Sequence, residues 1–224
     1  MSAEIANRLD VDHIARPEAP WDAVRRRVSG RYPVDPFGLD PQLADLVTPL
    51  FSAAVRVRVA GGEHVPSAGP AVIVSNRGFG FAEPSALAVA VNRASGRRLR
   101  VVGAPDFPVF GRATRRLGEI SSSGPDVATA LRAGHLVGIP LAHTWLRTGA
   151  GEAPLAVARA LTLAPIVPAA VRPLGRFGTV IGSWAVTFGP MVTLADPYAP
   201  DEPLAAARFT DAMRRAVAAL LDDD

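Results

Sequence analysis

The chain has 224 residues, which fits one large domain or one domain with an N-terminal extension, and 49% of them are hydrophobic, enough to bury a substantial core. All 24 basic residues are arginine, the formal net charge is only +3, and no zinc-finger spacing or aromatic-interleaved basic strand occurs, so we expect no nucleic-acid partner. Because the chain has no cysteine, it has no disulfide, thiol nucleophile or thiolate metal site.

The N-terminal 40 residues predict an irregular arm. The first stretch, MSAEIANRLDVD, is charged and lacks the apolar region of a secretory signal, and RYPVDPFGLDP is rich in turn-forming residues. We therefore predict an arm over residues 1–40, a domain over residues 41–224, and a cytoplasmic location. Because no apolar run reaches the roughly 18 residues that span a bilayer, contact with a membrane would be peripheral.

The domain begins with an amphipathic helical pattern in PQLADLVTPLFSAAV, and strands then alternate with helices. This alternation predicts an α/β fold with a mostly parallel central sheet flanked by helices. The predicted strands are 55–59, 71–75, 99–102, 119–121, 136–139, 166–171 and 184–188. The predicted helices are 83–91, 107–117, 125–133, 153–163 and 203–221.

Charged and polar clusters leave several interpretations open. Arginines cluster at residues 25–27, 97–100 and 115–116, where they form either solvated faces or contacts with anionic lipid headgroups. The serines at 121–123 precede a predicted helix and indicate a loop or helix cap, with anion binding at the helix N-terminus as a second interpretation. The four histidines share no metal-ligand spacing, so we predict no metal site.

The segment Ala71–Pro84, AVIVSNRGFGFAEP, resembles the first motif of the glycerolipid acyltransferase family, the lysophosphatidic-acid acyltransferases and their relatives. Members of that family follow an apolar strand with Asn-His, four further residues and Asp. Here Asn76 is in place, Arg77 occupies the histidine position, Ala82 occupies the aspartate position, and Glu83 lies one residue later.

The resemblance covers roughly residues 51–195. GGEHVP is similar to the Gly-x-Glu-x-(Ile/Val)-Pro turn before the first motif, LGEISSSGPDVATALRAGHLVGIP to the second-motif region and the strand that enters the third, and LAPIVPAAV to the fourth motif. The resemblance implies a glycerolipid-acyltransferase-like fold and a role in lipid metabolism. It also implies a lipid or acyl-chain ligand and an acyl-CoA or acyl-carrier-protein co-substrate, with no other cofactor.

The departures from the family lie where its chemistry would be. An arginine cannot act as a base at a working pH, the second motif offers serines instead of an arginine, and the third retains only Pro140 of Phe-Pro-Glu-Gly-Thr-Arg. We therefore predict that the standard His-Asp mechanism is lost. Arg77 would then bind an anion or pair with Glu83, and the predicted substrate-binding residues are Asn76, Arg77, Ser122 and Ser123.

Two functions from different classes follow. The first is a pseudoenzyme that binds lipid or an unidentified protein partner at a membrane surface. The second is an active acyl-CoA-dependent acyltransferase, acting on a lysophospholipid or other hydroxyl acceptor, with His143 of the third-motif loop as displaced base and Glu83 as its orienting partner. An unrelated α/β protein with a chance motif match is a third interpretation.

Overall fold

The computed structural model describes residues 22, 25, 29–30, 32–77, 82–103, 114–142, 155, 164–175, 182–192 and 203–222; of residues 51, 77, 82, 142 and 203–206 it describes only the backbone. The chain divides into two compact units, Met1–Pro33 and Val34–Asp224. The fold described below is that of the larger unit. The sequence-based boundary between residues 40 and 41 stays a prediction.

In the described part of this unit, six strands form one sheet. They are β1 (Arg56–Ala60), β2 (Ala71–Arg77), β3 (Leu99–Val101), β4 (Leu136–Ala142), β5 (Ile166–Pro173) and β6 (Ser183–Phe188). Their order across the sheet is β1-β6-β5-β2-β4-β3, and every neighbouring pair is parallel except the antiparallel pair β5 and β6. The predicted α/β class with a mostly parallel sheet is therefore confirmed.

Four α-helices and one 3-10 turn belong to the same described part. They are α1 (Pro41–Ala54), the 3-10 turn (Gly62–His64), α2 (Ala82–Ser95), α3 (Gly124–Arg132) and α4 (Pro203–Asp222). The short strand predicted at 119–121 is wrong, because Ile120 makes only an isolated bridge with Val102. The helix predicted at 153–163 lies outside the described residues except for Leu155, which is helical and buried.

Strand β2 lies at the centre of the sheet, and helices cover both of its faces. Ile73 packs in a core with α2 residues such as Leu87, whereas Val72 belongs to a second core with Leu131 of α3 and Met213 of α4. Residues 71–74 are all fully buried. This double burial explains why β2 is a continuous apolar run instead of an alternating one.

Candidate functional site

The carboxyl end of β2 carries the polar residues that the sequence singled out. Asn76 and Arg77 are its last two residues, and β4 runs parallel beside it with Ala142 opposite Arg77. Glu83 lies in the first turn of α2, the helix that follows in the chain. In sheets of this kind, ligands bind in the crevice at the carboxyl ends of the strands, so this end is the candidate site.

The side chain of Asn76 ties this end of β2 to β5. Its Nδ2 donates to the carbonyl oxygen of Val171 at 2.9 Å, and its Oδ1 accepts from the Val171 N–H at 2.7 Å. Regular pairing of β2 with β5 ends at Ser75 opposite Ala169, so the amide continues the strand contact beyond that point. Asn76 thus holds the backbone that presents Arg77, while its predicted contact with substrate stays a prediction.

A small cavity lies at this end of the sheet, between the strands and α2. Its lining residues are Ser75, Asn76, Glu83, Pro84, Leu87, Val101 and Pro140. The cavity measures about 10 Å³, which is about the space that one water molecule needs. The structure therefore brings Asn76 and Glu83, two of the predicted site residues, to the lining of one small cavity.

The other predicted site residues divide into two groups. His143 and the side chain of Arg77 lie outside what the structure describes, so their roles stay predictions. Ser123 caps α3, because its hydroxyl accepts from the Asp126 N–H, and Ser122 beside it is exposed. The helix-capping interpretation of this serine segment is confirmed, and its binding of substrate is untested.

A second polar group, at the outer strand β3, escaped the sequence analysis. Arg100 was expected in a surface cluster of arginines, but its side chain is only 5% exposed and pairs with Asp35. A charged residue inside the apolar run of β3 was the available signal, because a buried arginine requires a partner. The sequence offered no sign that the partner would come from residue 35.

We expect Asn76→Ala to lower the free energy of unfolding by about 1–3 kcal/mol, because the N–H and C=O groups of Val171 would lose their partner in a buried strand. Urea denaturation measures this change. Asn92→Ala is the matched control, since the Asn92 amide reaches the Arg97 carbonyl only at 3.5 Å, and it should stay within about 0.5 kcal/mol of wild type. Equal losses in the two variants would show that the Asn76 amide does not anchor β2.

No family model matches the chain. Uncharacterized proteins of Mycobacterium bovis and Mycobacterium tuberculosis are each 35% identical to it over 127 residues, and one of Mycobacterium leprae is 33% identical over the same length. Each match covers 52% of this chain but only 35–36% of the relative. The chain thus spans about a third of the length of the curated relatives it matches.

Among solved structures, the chain is similar to the 1-acyl-sn-glycerophosphate (LPA) acyltransferase PlsC of Thermotoga maritima. The TM-score is 0.53, and the match covers 89% of both chains at 11% sequence identity. The chain has an acyltransferase-like fold. This fold confirms the architecture that the motif resemblance implied, while the residue roles carried by the altered motifs stay predictions.

The described residues contain neither a candidate membrane span nor a candidate metal site. Each of the described helices is too short or too polar to span a bilayer. No three acidic or histidine side chains in the described ranges are grouped so that they could hold a metal ion.

Proposed function

We propose that this protein binds acyl lipids with an acyltransferase-like fold that has lost the family's standard His-Asp mechanism. The observation that carries the proposal is that β2, at the centre of the sheet, ends in Asn76 and Arg77. Arg77 occupies the position where the resembling family has its histidine. The hydrogen bonds of the Asn76 amide to Val171 anchor the same strand end to β5.

The chemistry of acyl transfer opposes a standard role for Arg77. A hydroxyl acceptor must lose its proton near neutral pH, and imidazole suits that task because its ordinary pKa is about 6.5. A guanidinium has a pKa above about 12 and offers only donors. Arg77 is therefore suited to binding a phosphate or carboxylate group and cannot remove the proton.

The aspartate position of the resembling motif is changed as well. Ala82 is the first residue of α2 and has no carboxylate. Glu83 follows in the first helical turn, where a negative charge also stabilises the helix dipole, so its carboxylate has a structural role available. Both members of the acid-base pair are thus replaced, which favours binding over turnover.

The proposed ligands follow from the fold and the remaining charge. The proposed ligands are acyl chains carried by a glycerolipid, by acyl-CoA or by acyl carrier protein. Arg77 would bind the phosphate of the headgroup. The protein would then work in lipid metabolism, in peripheral contact with a membrane surface.

Mass spectrometry of lipid that co-purifies with the native protein tests this proposal. We expect glycerolipid or fatty acyl species in stoichiometric amounts, and Arg77→Gln should lower the bound fraction of phosphate-bearing lipids severalfold because a charge-assisted contact is lost. The exposed Arg132→Gln variant serves as the control, because Arg132 lies at the far end of α3 and outside the arginine clusters. Absence of bound lipid, together with no saturable binding of oleoyl-CoA, would contradict the proposal.

A second candidate function, an active acyltransferase with a displaced base, is favoured by one feature of the register. Ala142 lies opposite Arg77, and His143 is the next residue of the chain. In that mechanism His143 takes the hydroxyl proton, the hydroxyl oxygen forms an ester bond with the thioester carbonyl carbon, and the carbon–sulfur bond breaks. The proton then passes to the leaving thiolate.

A further inference from the structure

A cavity lies where α1 ends and β1 begins, at the edge of the sheet where β6 also begins and β5 ends. It measures about 470 Å³, within the roughly 300–1,000 Å³ of small-molecule sites. Because β2 runs parallel to β5, the end of β2 lies at the same edge of the sheet, but this cavity shares no lining residue with the small cavity there. Its lining residues include Ser52, Arg56, Arg58, Arg93, Leu174 and Ser183.

Two exposed arginines of β1 line this cavity. Arg56 and Arg58 alternate with Val57, which is buried in the core that contains α2, so both arginine side chains lie on the other face of the strand. Residues two apart on a strand are separated by about 6.6 Å, which places two like charges close together. Because both side chains are exposed, a ligand from solvent can reach their guanidinium groups.

A third arginine of the cavity is held in place by neutral groups. Arg93 of α2 donates from Nη1 to the carbonyl oxygen of Val57 at 2.7 Å and from Nη2 to the carbonyl oxygen of Ser52 at 3.2 Å. Carbonyl oxygens have no net charge, so Arg93 keeps its positive charge while its guanidinium is fixed beside α1 and β1. A donor that is already fixed loses little freedom when a ligand binds.

No carboxylate that the structure describes balances these charges. No described Asp or Glu lines the cavity, and the described ion pairs involve none of the three arginines. Three guanidinium groups at one cavity repel one another, whereas an anion between them would attract all three. Guanidinium groups match the geometry of phosphate oxygens and bind them bidentately. A phosphate monoester suits this excess better than a carboxylate, because it carries close to two negative charges at neutral pH.

We propose that this cavity binds a phosphate monoester. The phosphate would lie against Arg56 and Arg58, with Arg93 as a third donor, and the organic part of the ester would lie against the exposed apolar side chains of Ala53 and Leu174. A soluble ester and the headgroup of phosphatidic acid present the same chemical group. This site goes beyond the proposed function, which rests on the end of β2.

Isothermal titration calorimetry with butyl phosphate tests a soluble source of the phosphate, and co-sedimentation with phosphatidylcholine vesicles that contain phosphatidic acid tests a lipid source. Both use the full chain with Arg77→Gln, so that the proposed headgroup contact at the end of β2 does not contribute. We expect saturable binding of one butyl phosphate per chain or, for a lipid ligand, binding to vesicles only when they contain phosphatidic acid.

Adding Arg58→Gln should weaken this binding at least tenfold, because a charge-assisted contact is lost. The control is Arg132→Gln, which removes an exposed arginine just before β4 begins, at the opposite edge of the sheet. It should leave the affinity unchanged within twofold. Circular dichroism establishes that each variant is folded, and Arg56→Gln is the second cavity variant if Arg58→Gln does not fold.

Butyl phosphate binding that depends on Arg58 would support the site with a soluble ligand, and Arg58-dependent binding to vesicles alone would support it with a lipid headgroup. Absence of binding in both arms would overturn the inference. Binding that Arg58→Gln weakens no more than Arg132→Gln does would overturn it as well. Either failure would leave the lipid proposal for the end of β2 to its own test.

Discussion

Gly61→Ala is expected to lower the free energy of unfolding by about 2–5 kcal/mol, the sum of roughly 1–2 kcal/mol for a left-handed backbone and about 1–3 kcal/mol for overpacking. Gly61 has φ 66° and ψ 22° and precedes the 3-10 turn, which lies in the connection between β1 and β2. A Cβ at this position would lie 2.0 Å from the backbone carbonyl oxygen of Phe188, the last residue of β6. Because that oxygen belongs to the backbone, relief would require the strand end to move.

Gly69→Ala separates the two contributions. Gly69 also has a positive φ, +75°, but a Cβ there would have nothing within 4 Å. It should therefore cost only the backbone term of about 1–2 kcal/mol. Urea denaturation of both variants measures the difference, and equal losses would show that the close approach of Gly61 to β6 does not constrain the fold.

Asp35→Ala is expected to lower the free energy of unfolding by about 3–5 kcal/mol, because it leaves the charge of Arg100 buried without its partner. The carboxylate also accepts from the backbone N–H groups of Phe37 and Leu39, at 2.9 and 2.8 Å, so a turn loses its internal bonds as well. Urea denaturation near neutral pH measures the loss.

The matched control is Asp45→Ala, which breaks the ion pair with Arg98 on the surface. The side chains of Asp45 and Arg98 are 70% and 39% exposed, so we expect a change of about 0–1 kcal/mol. Replacing both buried partners, as Asp35→Leu with Arg100→Met, should recover part of the loss because no buried charge remains. A small effect of Asp35→Ala, comparable with that of Asp45→Ala, would contradict the buried ion pair.

Much of the fold could be predicted from local patterns. The run at 71–74 and the strand at 166–171 are apolar throughout, which is typical of parallel strands covered on both faces, and both lie near the centre of the sheet. The short strand at 119–121 was wrong because three residues carry too little periodicity to separate a strand from a single bridge. The antiparallel pairing of β5 with β6 depends on contacts across the sheet that no local pattern specifies.

The candidate site was predictable in part, because a sequence motif can place residues at the end of a strand but cannot assign their partners. The motif placed both Asn76 and Glu83 among the candidate site residues, and both line the cavity at the end of β2. The bonds of Asn76 to Val171, 95 residues away, and of Arg100 to Asp35, 65 residues away, depend on the folded topology.

The most direct test of the central claim is mass spectrometric detection of acylated product after the purified protein is incubated with oleoyl-CoA and mixed lysophospholipids. Wild type, His143→Ala and, as a matched histidine control, His64→Ala from the 3-10 turn are compared with a protein-free reaction. The proposal that the protein binds acyl lipids without turnover predicts no product above the protein-free level in any of them. Product formed by wild type and by His64→Ala, but lost in His143→Ala, would contradict that claim and establish the displaced base.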